Sequence, residues 1–246
     1  GPVPTRDSTD VIMSTLLGKN NIVPNISLGV PSVNADRAAY ANPLSASNTD
    51  AVSKAMARLN AMPDSVEAAV RELMDHHQGC DHAADSEYLG KAHDARVTVD
   101  AMLTAQLGAK LDFKANTPEA QAMRAHYGFN TSELSSVEAM TALAEVALTQ
   151  QISRCVSIRV PGVGGSLNFD SHYTLEQGLP QMRANNAIAR LMDNLEATAY
   201  PDDSGDSWLD RTTIICTSEF TRSPLLEFGV GRGHWLSNVC VMAGGG

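Results

Sequence analysis

Residues 212–217 read TTIICT, and residues 218–224, which follow them directly, read SEFTRSP. The first segment is a short apolar run with β-branched side chains, which is typical of a buried strand. The second segment contains Glu219 and Arg222. The change from apolar to polar predicts a strand that ends by delivering a carboxylate and a guanidinium into a loop. In an open parallel sheet, ligands bind outside this end of the strands.

Two other apolar runs have similar neighbours. Residues 155–160 (CVSIRV) predict another buried strand, and the Gly-rich segment after it leads to Asp170 and His172. Residues 239–243 (VCVMA) form the third run, and His234 lies shortly before it. Because helices alternate with strands here, we predict right-handed crossovers and a parallel sheet. The residues expected to meet at one sheet edge are Asp170, His172, Glu219, Arg222 and His234.

These side chains suit a metal centre, although each also has a structural interpretation. Asp170 and His172 are two apart and would face the same side of an extended segment, where a carboxylate and an imidazole suit zinc or manganese. A loop-capping Asp and a surface His would give the same pattern. Burying the Glu219 carboxylate at a strand end costs free energy unless it forms an ion pair or binds a metal. Arg222 either neutralises Glu219 or binds an anionic oxygen, since its fork suits phosphate or sulfate.

A second group of metal-binding residue types occurs at the end of a predicted helix, where residues 76–82 read HHQGCDH. Adjacent histidines on a helix point to different sides. We therefore interpret this group as a solvated helix end, with independent metal binding as the alternative.

Composition excludes several classes of function. Of the 246 residues, 43% are hydrophobic, so the chain can bury a sizeable core, and its formal net charge of −10 argues against nucleic acid as a partner. No apolar run approaches the roughly 18 residues of a membrane span. None of the four cysteines forms a C-x-x-C pair. Three of them, Cys155, Cys216 and Cys240, lie in predicted strands, which favours small buried side chains over disulfides.

The chain is predicted to be one incomplete domain with three parts. Residues 1–50 are loop-rich, residues 51–150 are mostly helical, and residues 151–246 form a β-α-β part that carries the motifs. The helix predicted over 136–150 has its buried face at Val137, Met140, Ala144, Ala147 and Leu148. The start without an initiator Met and the end in Gly-Gly-Gly lead us to expect that both ends are cut.

Four segments together resemble a known family. They are 169–172 (FDSH), 218–224 (SEFTRSP), 231–235 (GRGHW) and 241–246 (VMAGGG). They are similar to the W-D-T-H, S-E-F-G-R-T-P, G-R-D-H-W and strand-G-G-G phrases of a large bacterial family of uncharacterised, often exported proteins. That family resembles the alkaline phosphatase-like superfamily, which also contains sulfatases. Thr221 stands where the family has glycine, and Gly233 stands where it has an acidic residue.

The resemblance implies a three-layer α/β/α sandwich with a mostly parallel sheet and a helical segment in the N-terminal half. It also implies a metal-dependent hydrolase of phosphate or sulfate esters that is periplasmic or secreted and acts on a small anionic ester. Asp170, His172, Glu219 and His234 would bind one or two divalent ions of zinc, manganese or calcium, and Arg222 would be catalytic. The nucleophile region of the superfamily would lie upstream, so we expect this stretch alone to be inactive. The alternative is a non-catalytic exported protein that keeps the fold as a binding or structural module.

Overall fold

A computed structural model describes residues 6–57, 65–66, 68–69, 72–73, 76, 87–161, 169, 174–218, 220–226 and 231–245. The fold is mixed α/β. The chain divides into two compact units, the larger made of Gly1–Thr49 and Phe113–Gly246 and the smaller of Asp50–Asp112.

The larger unit contains a parallel sheet of three strands, which are β1 (Asn25–Leu28), β2 (Leu44–Ala46) and β3 (Cys155–Ile158). Strand β1 is central, with Ile26 opposite Leu44 on one side and Val156 on the other. All four residues of β1 are buried, as expected for a parallel strand covered on both faces. The sequence of residues 22–30 also predicts a strand, and the structure confirms this prediction at β1 and the prediction over 155–160 at β3. Strand β2 lies in the part of the chain predicted to be loop-rich. The prediction missed this strand because three residues are too few to show a hydrophobic period.

Helix α1 (Thr9–Leu17) packs beside β1 and β3 in the larger unit. The smaller unit contains α2 (Thr49–Met56), α3 (Glu87–Thr104) and α4 (Leu107–Lys110). The Ser53 hydroxyl donates to the Gly108 carbonyl over 2.8 Å. A Cβ atom at Gly108 would lie only 2.7 Å from the Ala57 Cα, so α2 and α4 approach closely because this residue is glycine.

Helices α5 (Pro118–Tyr127), α6 (Val137–Thr149) and α7 (Thr174–Ala197) belong to the larger unit. Local sequence explains where two of them begin, since the hydroxyls of Thr117 and Ser136 accept from the Ala120 and Ala139 amides. Helix α5 ends at Gly128, whose φ of 78° favours glycine. The predicted buried face of α6 is confirmed at Val137, Met140, Ala144 and Ala147, whereas Leu148 is only partly buried.

Polar side chains join these three helices. Arg183 of α7 donates from Nε and Nη2 to the two carboxylate oxygens of Glu138 in α6, over 2.6 and 2.8 Å. Glu145 of α6 accepts from the Tyr127 hydroxyl over 2.6 Å and from the Asn194 amide over 2.8 Å. Tyr127 is fully buried, and burial followed by the Glu145 hydrogen bond raises the pKa of its phenol far above its ordinary value. These contacts fix α6 between α5 and α7.

The two later apolar runs form strands, but their pairing differs from the prediction. Strand β4 (Ile214–Thr217) pairs antiparallel with β7 (Cys240–Ala243), so that Cys216 lies opposite Val241. Neither strand is the buried strand that its composition predicted, since Ile215 is 54% exposed and Met242 is 66% exposed. The sequence therefore predicted the approximate positions of β4 and β7, but it predicted neither which strands pair nor whether they pair parallel or antiparallel.

Two other burial predictions were wrong. The apolar residues Val66, Ala69, Val70, Leu73 and Met74 have helical spacing, which predicts a buried stripe, but Val66 is 46% exposed and Leu73 is 57% exposed. Cys240, expected to be buried, is exposed. Among the helices that the structure describes, none is long and apolar enough to span a membrane.

A buried carboxylate ties α1 to the start of β1. Asp10 is 9% exposed and accepts from the Asn25 amide over 2.9 Å and from the Ser32 hydroxyl. Burial alone raises the pKa of Asp10, but hydrogen bonds from Ser32, Ser8 and Asn25 favour the charged form and leave the pKa below its ordinary value. Folding is therefore coupled to ionisation of this group.

Replacing Asp10 by Asn should lower the free energy of unfolding at neutral pH by about 1–3 kcal/mol, because the amide cannot accept every one of these hydrogen bonds. Since the folded pKa is depressed, the contribution of Asp10 is present above the ordinary pKa of aspartate and is lost as pH falls through the folded value. Urea unfolding at neutral and acidic pH should show the gap between wild type and Asp10→Asn closing in acid. The exposed Asp203→Asn is the control, and a pH-independent gap would contradict the prediction.

Glu138→Gln should destabilise the larger unit by about 1–3 kcal/mol, because it removes one charge of a two-bond ion pair whose carboxylate side is 9% exposed. Lys54→Gln, which breaks the exposed pair with Asp50, should cost about 0.5 kcal/mol or less. Thermal unfolding of both variants makes the comparison. Equal effects would show that Glu138 and Arg183 do not hold the helices together.

Candidate functional site

The candidate site lies in an antiparallel hairpin that continues the β4–β7 ribbon. Its strands are β5 (Thr221–Arg222) and β6 (His234–Trp235), and Arg222 lies directly opposite His234. Thr217 lies opposite Cys240, so the register shifts by one residue between the two strand pairs. Such a shift is typical of a β-bulge, which re-aims side chains. Arg222 and His234 are thus paired across an antiparallel hairpin, rather than at the edge of the parallel sheet at which they were predicted to meet.

An aromatic ring joins these two residues. Phe220 stacks on the His234 imidazole, with 3.9 Å between ring centroids and 24° between planes. The Arg222 guanidinium carbon lies 5.4 Å from the centroid of the same Phe220 ring, which is the geometry of a cation–π contact. The Phe220 ring therefore contacts both side chains and restricts their positions.

The hairpin is held beyond its strands by Ser223, which is buried. The Ser223 amide donates to the Gly233 carbonyl over 3.0 Å, and the Gly233 amide donates to the Ser223 hydroxyl over 3.1 Å. Arg232 Nη1 donates to the Ser223 carbonyl over 3.3 Å. Arg232 therefore belongs to the same hairpin, although its residue type alone did not mark it as part of a site.

The other predicted site residues are Asp170, His172 and Glu219, which lie outside the residues that the structure describes. Of the alternative cluster at residues 76–82, His76 is helical and exposed, and the rest lie outside the described residues. Within the described ranges, no group of three or more His, Cys, Asp or Glu side chains is arranged to hold a metal ion. The predicted ligand set therefore stays a prediction.

Cysteine chemistry finds no support in the described sheet. Burial, followed by the charge of Asp10, raises the pKa of the Cys155 thiol to about 11. Burial also raises the pKa of the Cys216 thiol. A thiol with a raised pKa holds little of the nucleophilic thiolate at neutral pH.

Comparison with known proteins gives a family but no activity. Residues 32–246 match the family described as "Protein of unknown function (DUF1501)". The chain belongs to this family. The match includes the hairpin and every predicted site residue. No curated protein and no solved structure matches the chain.

Phe220→Leu tests whether the ring orients His234. Loss of the stack removes a ring-current shift from the His234 ring protons and about 0.5–1.5 kcal/mol of aromatic contact energy. Histidine-selective NMR should therefore show His234 signals moving, while those of His93 in the smaller unit stay in place. Unchanged His234 signals would show that the stack does not form in solution.

Proposed function

We propose that this protein is a metal-dependent hydrolase of phosphate or sulfate esters with the three-layer sandwich of the alkaline phosphatase-like superfamily, and that it acts in the periplasm or outside the cell. The observation that carries the proposal is the pairing of Arg222 with His234 in the hairpin that follows β4. It joins a group that can bind an anionic oxygen to one that can bind a metal. Both belong to motifs on which the resemblance rests.

In this proposal, Asp170, His172, Glu219 and His234 hold one or two ions of zinc, manganese or calcium. Two carboxylates and two imidazoles form a donor set that suits such ions. The stacking of Phe220 fits this role, since it uses a face of the His234 ring, whereas coordination uses a nitrogen lone pair in the ring plane. When bound, the metal would polarise the ester and activate the nucleophile.

Arg222 serves the anionic part of the substrate. Its guanidinium is held over Phe220, which limits its motion and orients its planar fork. A fixed guanidinium stabilises charge that develops on a transferred phosphoryl or sulfuryl group. An acidic protein needs such a local cation, because its overall charge of −10 repels an anionic ester.

A non-catalytic exported binding or structural module is the second candidate, and a specific contact favours it. Thr221, which replaces the glycine of the family pattern, shares a hydroxyl hydrogen bond of 2.7 Å with Ser237. Its amide also donates to the Ser237 carbonyl over 2.7 Å. The threonine that departs from the family pattern therefore adds a side-chain hydrogen bond to the hairpin. A module that has lost chemistry but kept its fold would show this change.

Metal binding distinguishes the two candidates. The protein is equilibrated with zinc, manganese or calcium, and retained metal is measured by mass spectrometry. A hydrolase should retain at least one equivalent, and His234→Ala should weaken retention at least about tenfold by removing a ligand. His93→Ala, which changes a histidine of the smaller unit, should bind as wild type does. No stoichiometric metal in wild type, or equal retention by His234→Ala, would overturn the metal centre.

Turnover is tested on the complete gene product with aryl phosphate and aryl sulfate. Arg222→Ala should lower kcat/KM by about a hundredfold, which is the usual cost of removing one group that stabilises transition-state charge. Retained metal without turnover of either ester would favour the binding module.

A further inference from the structure

Arg232 has an unusual environment within the hairpin. Its Nε is buried and has no hydrogen-bond partner among the described residues. Its Nη1 is anchored to the Ser223 carbonyl over 3.3 Å. Arg232 takes part in none of the ion pairs found in the described part of the chain. The guanidinium is thus fixed at one nitrogen while another N–H lacks an acceptor.

The buried Arg232 Nε–H lowers the stability of the fold unless a hydrogen-bond acceptor is supplied. A buried N–H without an acceptor loses its hydrogen bond to water and gains none in return. The cost is greater for a charged group. Arginines with structural roles elsewhere in the larger unit show the contrast, since Arg183 donates twice to Glu138 and Arg211 donates to Asp206 over 2.6 Å. Arg232 has the donor geometry of these residues but no carboxylate.

The neighbours of Arg232 point to an anion as the missing acceptor. In an extended segment, residues two apart face the same side, so Arg232 shares a side with His234, which lies opposite Arg222. The hydrogen bonds between Ser223 and Gly233 extend the ladder to this position. The register therefore places two guanidiniums and an imidazole on one face of the hairpin, in a chain whose net charge is −10.

We propose that Arg232, with Arg222 and His234, forms a binding site for a tetrahedral oxyanion, phosphate or sulfate. The Arg232 side chain is half-buried, so its guanidinium is partly open to an anion while Nη1 stays anchored to the Ser223 carbonyl. This deepens the proposed function, because the bound anion is the group that a phosphate or sulfate ester presents to Arg222. Anion binding does not require ester hydrolysis, so the proposed anion site and the proposed hydrolase function can be tested and rejected independently.

The test is calorimetric titration of the protein with inorganic phosphate and, separately, with inorganic sulfate at low ionic strength. Wild type should show saturable binding of at least one anion. Arg232→Ala should weaken it at least about tenfold, since a hydrogen bond to a charged group contributes about 1.5 kcal/mol or more. Arg154→Ala removes the same charge at an exposed position, where Arg154 contacts the Tyr200 hydroxyl, and it should change affinity less than about twofold because exposed charges are screened.

Arg232→Lys keeps the charge but loses the planar fork, so it should also bind more weakly than wild type. If circular dichroism shows that Arg232→Ala does not fold, the anion affinity of Arg232→Lys is used as the test instead. The inference is overturned if wild type binds neither anion, or if the folded Arg232 variants bind as wild type does. Phosphate bound more tightly than sulfate would assign the site to phosphate esters, and the reverse order to sulfate esters.

The same variants separate this inference from the proposed function. Arg232-dependent anion binding without ester hydrolysis would support the site and reject the hydrolase. Hydrolysis with an unchanged KM in Arg232→Ala would support the hydrolase and reject this role for Arg232.

Discussion

The larger unit depends on burying β1 with a parallel strand on each side. Two of its four residues, Asn25 and Ser27, are polar and fully buried, so hydrogen bonds to their side chains offset much of the cost of burying the strand, although Asn25 Oδ1 has no partner in the described part of the chain. Asn25 donates to Asp10, and the Ser27 hydroxyl donates to the Val30 carbonyl over 2.8 Å. The carboxylate on α1 is thus part of what allows the central strand to be buried. Strands β2 and β3 each pair with β1, so both take their register from this central strand.

The candidate site depends on a different kind of contact. Arg222 and His234 meet through an antiparallel hairpin, whose strands are close in sequence and need no crossover. Its position is set by contacts within the hairpin, namely the Phe220 stack and the paired hydrogen bonds of Ser223 and Gly233. The geometry of the two basic groups can therefore persist independently of the parallel sheet, which matters for a site that must stay rigid while binding charge.

The sequence predicted local structure well and partners poorly. The helix predicted over 136–150 and most of its apolar face depend on short-range features, and the structure confirms them at α6. The strands at β1, β3, β4 and β7 were also found from their composition. The antiparallel pairing of β4 with β7 was missed, because an apolar run of a few residues specifies neither direction nor neighbour. The same limit applies to the site. Motif spacing brought Arg222 and His234 together, but Arg232 emerged only from the environment of its buried nitrogen.

The contrast between two polar clusters of the larger unit argues where function lies. Around Glu145, the Tyr127 hydroxyl and the Asn194 amide satisfy the carboxylate, and the cluster joins three helices as a structural network does. In the hairpin, Arg232 keeps a buried N–H without an acceptor and lies on the same face as Arg222 by register. Local rules of this kind are broken mainly where a protein binds or reacts with something outside its own fold. An arrangement that weakens the isolated hairpin becomes favourable once an anion supplies the acceptor, and the second arginine on the same face distinguishes this buried N–H from the Asn25 Oδ1 atom in the parallel sheet, which also lacks a partner among the described residues.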